Sequence, residues 1–123
     1  MENGKDNPSE PPRPKGIPHT VRGEIGVKAW TQNRERFGKQ LTLEESTALA
    51  AYAINVQRWH DAETWIAQHG TTVVIRDKDG RAKQVIKAPQ TDIANQAAKA
   101  CSDYAAKLRE LERLYRERGR EVR

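Results

Sequence analysis

The sequence predicts a mainly α protein: a short N-terminal helix, then a long antiparallel helical hairpin whose two helices are joined by a small β-hairpin. Three observations carry that prediction. Two long stretches with helical apolar periodicity have matching lengths. A Thr-x-x-Glu box opens the first of them. Between them lies Val73-Val74-Ile75-Arg76-Asp77-Lys78-Asp79-Gly80-Arg81-Ala82-Lys83-Gln84-Val85-Ile86-Lys87, the one run of β-branched residues, broken by Asp-Gly.

Residues 1–22 hold five of the six prolines and no periodic apolar pattern, so a disordered, weakly basic, solvated tail is expected there. A helical domain is expected over 23–119, with a charged end at 120–123. The first helix should run from Glu24 to about Gly38, anchored by Ile25, Trp30 and Phe37 and stopped by Gly38.

Thr42, Leu43, Glu44 and Glu45 form a capping box, with Leu41 placed to act as half of a hydrophobic staple. The second helix should reach His69 and end at Gly70. Its Leu49, Tyr52, Val56, Trp59 and Ile66 recur at spacings of three, four or seven and fall on one face. Trp65 lies off that face and suggests a subunit contact. Past Pro89, a third helix from about Thr91 to Arg118 carries Ala97, Cys101, Tyr104, Leu108, Leu111 and Tyr115 as a heptad-like seam. Both long helices would be roughly 42 Å at 1.5 Å per residue. Laid antiparallel, Leu49 meets Leu111, Tyr52 meets Leu108, Val56 meets Tyr104, Trp59 covers Ala100 and Cys101, and Ile66 covers Ala94. Large residues then nest against small ones.

In the ribbon, a two-residue Asp79-Gly80 turn pairs Lys78 with Arg81, Arg76 with Lys83, Val74 with Val85 and Thr72 with Lys87. Arg76, Lys78, Arg81, Lys83 and Lys87 then share one face, while Val73, Ile75, Ala82 and Ile86 face the helices. Like charges opposite one another cost up to about 1 kcal/mol. An anionic partner would relieve that cost, and β-ribbons can approach a DNA groove or backbone. Arg34, Arg36 and Lys39 are further candidate phosphate contacts. Lysines on an exposed strand also simply discourage edge-to-edge aggregation. The cations from Lys107 to Arg123 read as a solvated helix end or as a phosphate-contacting stripe.

The formal net charge of +5 and a pI near 9.6 favour an acidic partner over a membrane. No apolar run is long enough to span a bilayer, and no apolar leader is evident, which points to the cytoplasm. The single cysteine, Cys101, allows no internal disulfide and no Cys-based zinc site. His60, Asp61 and His69 do not converge, because nine positions on a helix place His60 and His69 on opposite faces. No metal, cofactor, small-molecule substrate or catalytic constellation is expected. Alanine supplies about a third of the apolar positions, so the monomer core is thin and a homo-oligomer is expected.

A Trp30-bearing helix leads into Leu41-Thr42 with acidic residues following. Then come a long helix with Tyr52 and Ala62, Gly70, a basic stretch, Pro89 and a last Ala/Leu helix. This order, over roughly residues 24–115, resembles the phage terminase small-subunit family, in the branch found beside HNH-type packaging nucleases. The resemblance implies a non-enzymatic DNA-packaging factor of the host cytoplasm. Such a subunit forms oligomers, commonly rings, binds double-stranded viral DNA and delivers it to the large subunit with its ATPase and nuclease. Family members often end in a Gly-Leu-Thr-Pro-x-x-Arg type motif. Here Leu114 leads into Tyr115-Arg116-Glu117-Arg118-Gly119 without the Thr-Pro. The residues alone also allow a small basic interaction or regulatory module.

Overall fold

The computed structural model describes residues 16–122, with side chains through residue 119. Its elements are α1 (Glu24–Arg34), α2 (Leu43–His69), β1 (Thr72–Arg76), β2 (Ala82–Lys87) and α3 (Pro89–Val122). The expected class and element order hold: two long helices with a two-stranded antiparallel sheet between them, and a short helix in front.

The N-terminal leader expected over 1–22 ends sooner than its composition suggests. Residues 1–15 lie outside the described residues, but Ile17 packs against the core and Val21 is wholly buried in it. Two apolar side chains among the prolines are enough to tie that stretch down. α1 then starts at Gly23, whose φ of 81° suits a residue without Cβ. No side chain of its own caps the helix. Gln57 of α2 serves instead, its Oε1 accepting from the Gly26 amide at 2.8 Å.

α1 stops at Arg34, four residues before the expected stop at Gly38. The cause is the Arg34 guanidinium, which donates to the carbonyls of Gly38 at 2.8 Å and Lys39 at 2.9 Å and so holds the following chain in a non-helical course. Gly38 has a different use. A Cβ there would come within 2.7 Å of the Tyr115 hydroxyl, so the glycine admits α3 against the corner.

α2 opens on the capping box. The Thr42 hydroxyl accepts from the Glu45 amide at 3.1 Å, and the Glu45 carboxylate accepts from the Thr42 amide at 3.0 Å. The helix runs to His69, with Gly70 beyond it, as the sequence predicts. α3 is longer than expected, 34 residues against 27 for α2, or about 51 Å against 40 Å at 1.5 Å per residue. Pro89 sits at its first position, where the missing N–H costs nothing. At the other end, Arg113–Glu117 and Arg116–Glu112 pairs at i,i+4 support the turns up to residue 117, and the helix runs on past the expected stop at Arg118 to Val122.

The core gathers where three helices meet. Val21, Val27, Trp30, Phe37, Ala48, Leu49, Ala53, Leu108 and Leu111 form one buried cluster, with Tyr52 and Tyr115 partly buried against it. Leu49 and Leu111, opposite one another in the expected register, share that cluster. Toward the ribbon the packing between α2 and α3 thins to Ala62, Ala88, Ala94, Ala97 and Cys101. Here the expected nesting of large on small fails at Trp59, which is 41% exposed. The buried position is Ala62, about 60° away around α2 at 100° per residue, so small residue faces small residue and the indole lies on the flank. Val56, Trp65, Ile66 and Tyr104 are half-buried.

Candidate nucleic-acid interface

The ribbon departs from the expected two-residue turn. Thr72 pairs with Lys87, Val73 with Ile86, Val74 with Val85 and Ile75 with Gln84, but Arg76 pairs with Ala82. Lys83 is therefore the extra residue of a β-bulge on β2, and the loop comprises Lys78, Asp79 and Gly80 between the bonded pair Asp77 and Arg81. Asp77 dictates this. Its carboxylate accepts from the amides of Asp79 and Arg81, both at 2.9 Å, while the Gly80 amide donates to the Asp77 carbonyl at 3.0 Å. Only Gly80 takes a positive φ, 83°, so the loop is a three-residue turn closed by a glycine. A side chain that bonds its own turn outcompetes the tighter Asp-Gly alternative.

The expectation that one ribbon face packs on the helices also needs correction. Val73 and Ile86 are half-buried near the base, but Ile75 is 39% exposed and Ala82 is exposed. The ribbon projects from the helical pair, held at its base by the bond from the Ala88 amide to the Thr71 carbonyl at 2.9 Å. Ala88 itself is fully buried there.

The eight candidate cations divide into two groups. Arg76, Lys78, Arg81, Lys83 and Lys87 lie on the ribbon. Arg34, Arg36 and Lys39 lie at the α1–α2 corner, the length of α2 away, about 40 Å. The two groups do not converge. Within each, several cations are already occupied. Arg34 holds backbone carbonyls, Arg36 pairs with Glu112 at 3.2 Å, Arg76 donates to the Gly80 carbonyl at 3.0 Å and Lys87 pairs with Asp92 at 2.7 Å. Lys39, Lys78, Arg81 and Lys83 are exposed and make no ion pair among the described residues. Three of these four sit together at the ribbon tip.

The arginines of α3 are differently placed. Arg113 bridges Glu110 and Glu117 at 2.7 and 2.6 Å, and Arg116 binds Glu112 at 2.7 Å. The hydrogen bond from Arg113 holds the Glu110 carboxyl below its ordinary value, and the two acids push the Arg113 guanidinium up. Arg118 reaches across to the buried carboxylate of Glu45 at 3.1 Å and lies over the Tyr115 ring. This stripe is largely self-neutralised, a poor match for a polyanion. Sequence reading missed Arg118–Glu45 because a capping-box glutamate gives no sign of a second partner 73 positions away.

The other side chains weighed for chemistry stay apart. His60 is exposed, Asp61 accepts from Gln57 at 2.8 Å, and the His69 ring stacks on Trp65 at 4.4 Å. Among the described residues no cluster of three or more His, Cys, Asp or Glu side chains could hold a metal ion. Trp65 lines a shallow groove of about 320 Å³ with Arg58, Asp61, Ala62, Gln90 and Ile93. No helix is long and apolar enough to cross a membrane among the described residues.

The family described as "Phage terminase, small subunit" matches residues 34–109, the stretch that holds α2, the ribbon and most of α3. The chain belongs to the phage terminase small-subunit family. That membership gives it a role in phage DNA packaging and bears out the resemblance read from the order of its motifs. Terminase small subunits are generally non-catalytic. No protein of curated function and no solved structure matches the chain. The match takes in the ribbon and all five of its cations, while α1 contributes only Arg34.

Proposed function

We propose that this terminase small subunit is a non-catalytic, oligomeric adaptor that binds double-stranded viral DNA and delivers it to the large ATPase and nuclease subunit in the host cytoplasm. The observation that carries the reading is the ribbon tip, where Lys78, Arg81 and Lys83 are exposed without an acidic partner among the described residues. Like charges gathered on a projecting ribbon raise its energy, and phosphate oxygens lower it again. The tip offers point charges and no set of base-reading amides, so it engages the DNA backbone, independent of sequence.

Duplex DNA binding measured over a salt series tests this. Affinity should fall linearly in log salt, and replacing Lys78, Arg81 and Lys83 with alanine should make the slope shallower by roughly 0.9 for each phosphate no longer neutralised. Unchanged affinity and slope in that variant would remove the ribbon from the interface. Failure of the intact chain to retain duplex DNA at moderate salt would favour a basic module that binds only proteins, a reading supported by the exposed Val74, Ile75 and Val85.

A further inference from the structure

The two edges of the ribbon are unlike. β2 is guarded in three ways against another strand: Lys83 and Lys87 lie along it, and its bulge at Lys83 breaks the regular spacing of outward groups. β1, Thr72-Val73-Val74-Ile75-Arg76, has no bulge residue, proline or glycine, and its one charge, Arg76, is turned to the Gly80 carbonyl. Among the described residues the sheet has two strands, and the outer side of β1 has no neighbouring strand. The Ala88–Thr71 bond fixes which groups face out. Bonded pairs alternate along an antiparallel ladder, so residues 71, 73 and 75 bond to β2 while the N–H and C=O of Thr72, Val74 and Arg76 point away.

We propose that the outer edge of β1 is the contact surface for β1 of a second copy of this chain, the two strands running antiparallel about a two-fold axis at Val74. This deepens the adaptor reading, which takes the chain to be a homo-oligomer, by naming a surface on which copies meet. Centred on Val74, the five residues overlap completely. The outward groups of Thr72, Val74 and Arg76 all find partners, and Arg76 falls opposite Thr72 of the second copy, so no like charges meet. Val74 and Val85 of both copies form one apolar stripe across the four-stranded sheet, and Val73 and Ile75 form another on the reverse face. Two strands standing alone are marginal, and four are not. Charge selects the occupant: with its one cation turned inward the β1 edge offers nothing to phosphate, while an identical uncharged edge fits it. The cationic tips of the two copies point in opposite directions and stay free. An edge of five residues falls below the roughly 1,200 Å² of a standard interface, so the pair should dissociate on dilution.

Single cysteines test the register. In the full chain, Val74→Cys places two thiols on hydrogen-bonded partners with Cα atoms about 5.5 Å apart, within disulfide reach. Val85→Cys, on the outer strand β2 and more exposed, leaves its thiols two strands further apart. Mild oxidation should give a covalent dimer for Val74→Cys, while Val85→Cys and the parent chain, whose Cys101 is buried, should give none. Solution mass is read in parallel. A Val74→Lys variant, which sets two lysines opposite each other, should raise the dissociation constant by up to about fivefold, while Val85→Lys should not. An oligomeric mass with no Val74 cross-link above that of Val85 would overturn the β1 pairing and leave the adaptor reading standing. A chain monomeric at every concentration would overturn both.

Discussion

At the scale of single residues, Gln57 ties α1 to α2. Its carbonyl oxygen takes the Gly26 amide that would otherwise be free at the start of α1, and its amide nitrogen donates to Asp61 at 2.8 Å. Gln57→Ala should lower stability by about 1 kcal/mol, read from the denaturation midpoint. Gly23→Ala should cost at least as much, because its φ of 81° is unfavourable for an L-residue by about 1–2 kcal/mol and the new Cβ would displace the Gln57 amide. Cys101 offers a second check. Burial pushes its thiol above the ordinary value of 9.0, so the reactive thiolate is suppressed. A thiol reagent at mildly alkaline pH should modify it slowly in the native chain and rapidly in denaturant. The burial of Cys101 is legible in the sequence, from its place on the α3 seam, but the Gln57 tie is not. A glutamine in mid-helix reads as a solvated residue, and its partner lies 31 positions back.

Among the elements, what the sequence revealed was local. The capping box, the Gly70 stop and the β-branched strands each depend on residues within one turn or one hairpin, and each was found where expected. What it concealed depended on competition. The ribbon loop went to Asp77, whose carboxylate gathers two amides, over a two-residue Asp-Gly turn. Trp59 fell off the seam because α1 occupies one flank of α2, so the buried stripe near the corner is not in line with the one at Ala62. The candidate cations were easy to name but not to sort, since only geometry shows Arg34 spent on carbonyls and Lys83 free of an acidic partner. Asp77→Ala should loosen the loop and speed amide exchange in β1 and β2 while leaving the helices unchanged. Arg118→Ala should leave the buried Glu45 carboxylate with only its bond from the Thr42 amide, lowering stability by about 1–3 kcal/mol and loosening the end of α3 first.

For the molecule as a whole, the charged groups differ in how far they are neutralised. Among the described residues, Arg113 and Arg116 of α3 are neutralised by glutamates of the same helix, Arg34 and Arg36 at the corner are engaged, and the ribbon-tip cations have no acidic partner. The acid response follows. Glu110 is depressed below 4.5 by its bond to Arg113, so its contribution is complete above that value and disappears as pH falls through the lower, folded-state value. Helix content should therefore decline at the C-terminal end of α3 in acid, and Arg113→Ala should remove that step. The DNA affinity proposed for the ribbon tip, which lies apart from Glu110, should not follow the same curve. A final consequence lies in the bond between Ala88 and Thr71. It brings the chain just beyond one strut and just before the other side by side, so residues 72–87 form a cassette on a closed doorway. Cutting that cassette out and rejoining the ends with a short glycine bridge should yield a helical scaffold that still folds, ready to accept the cassette of another family member.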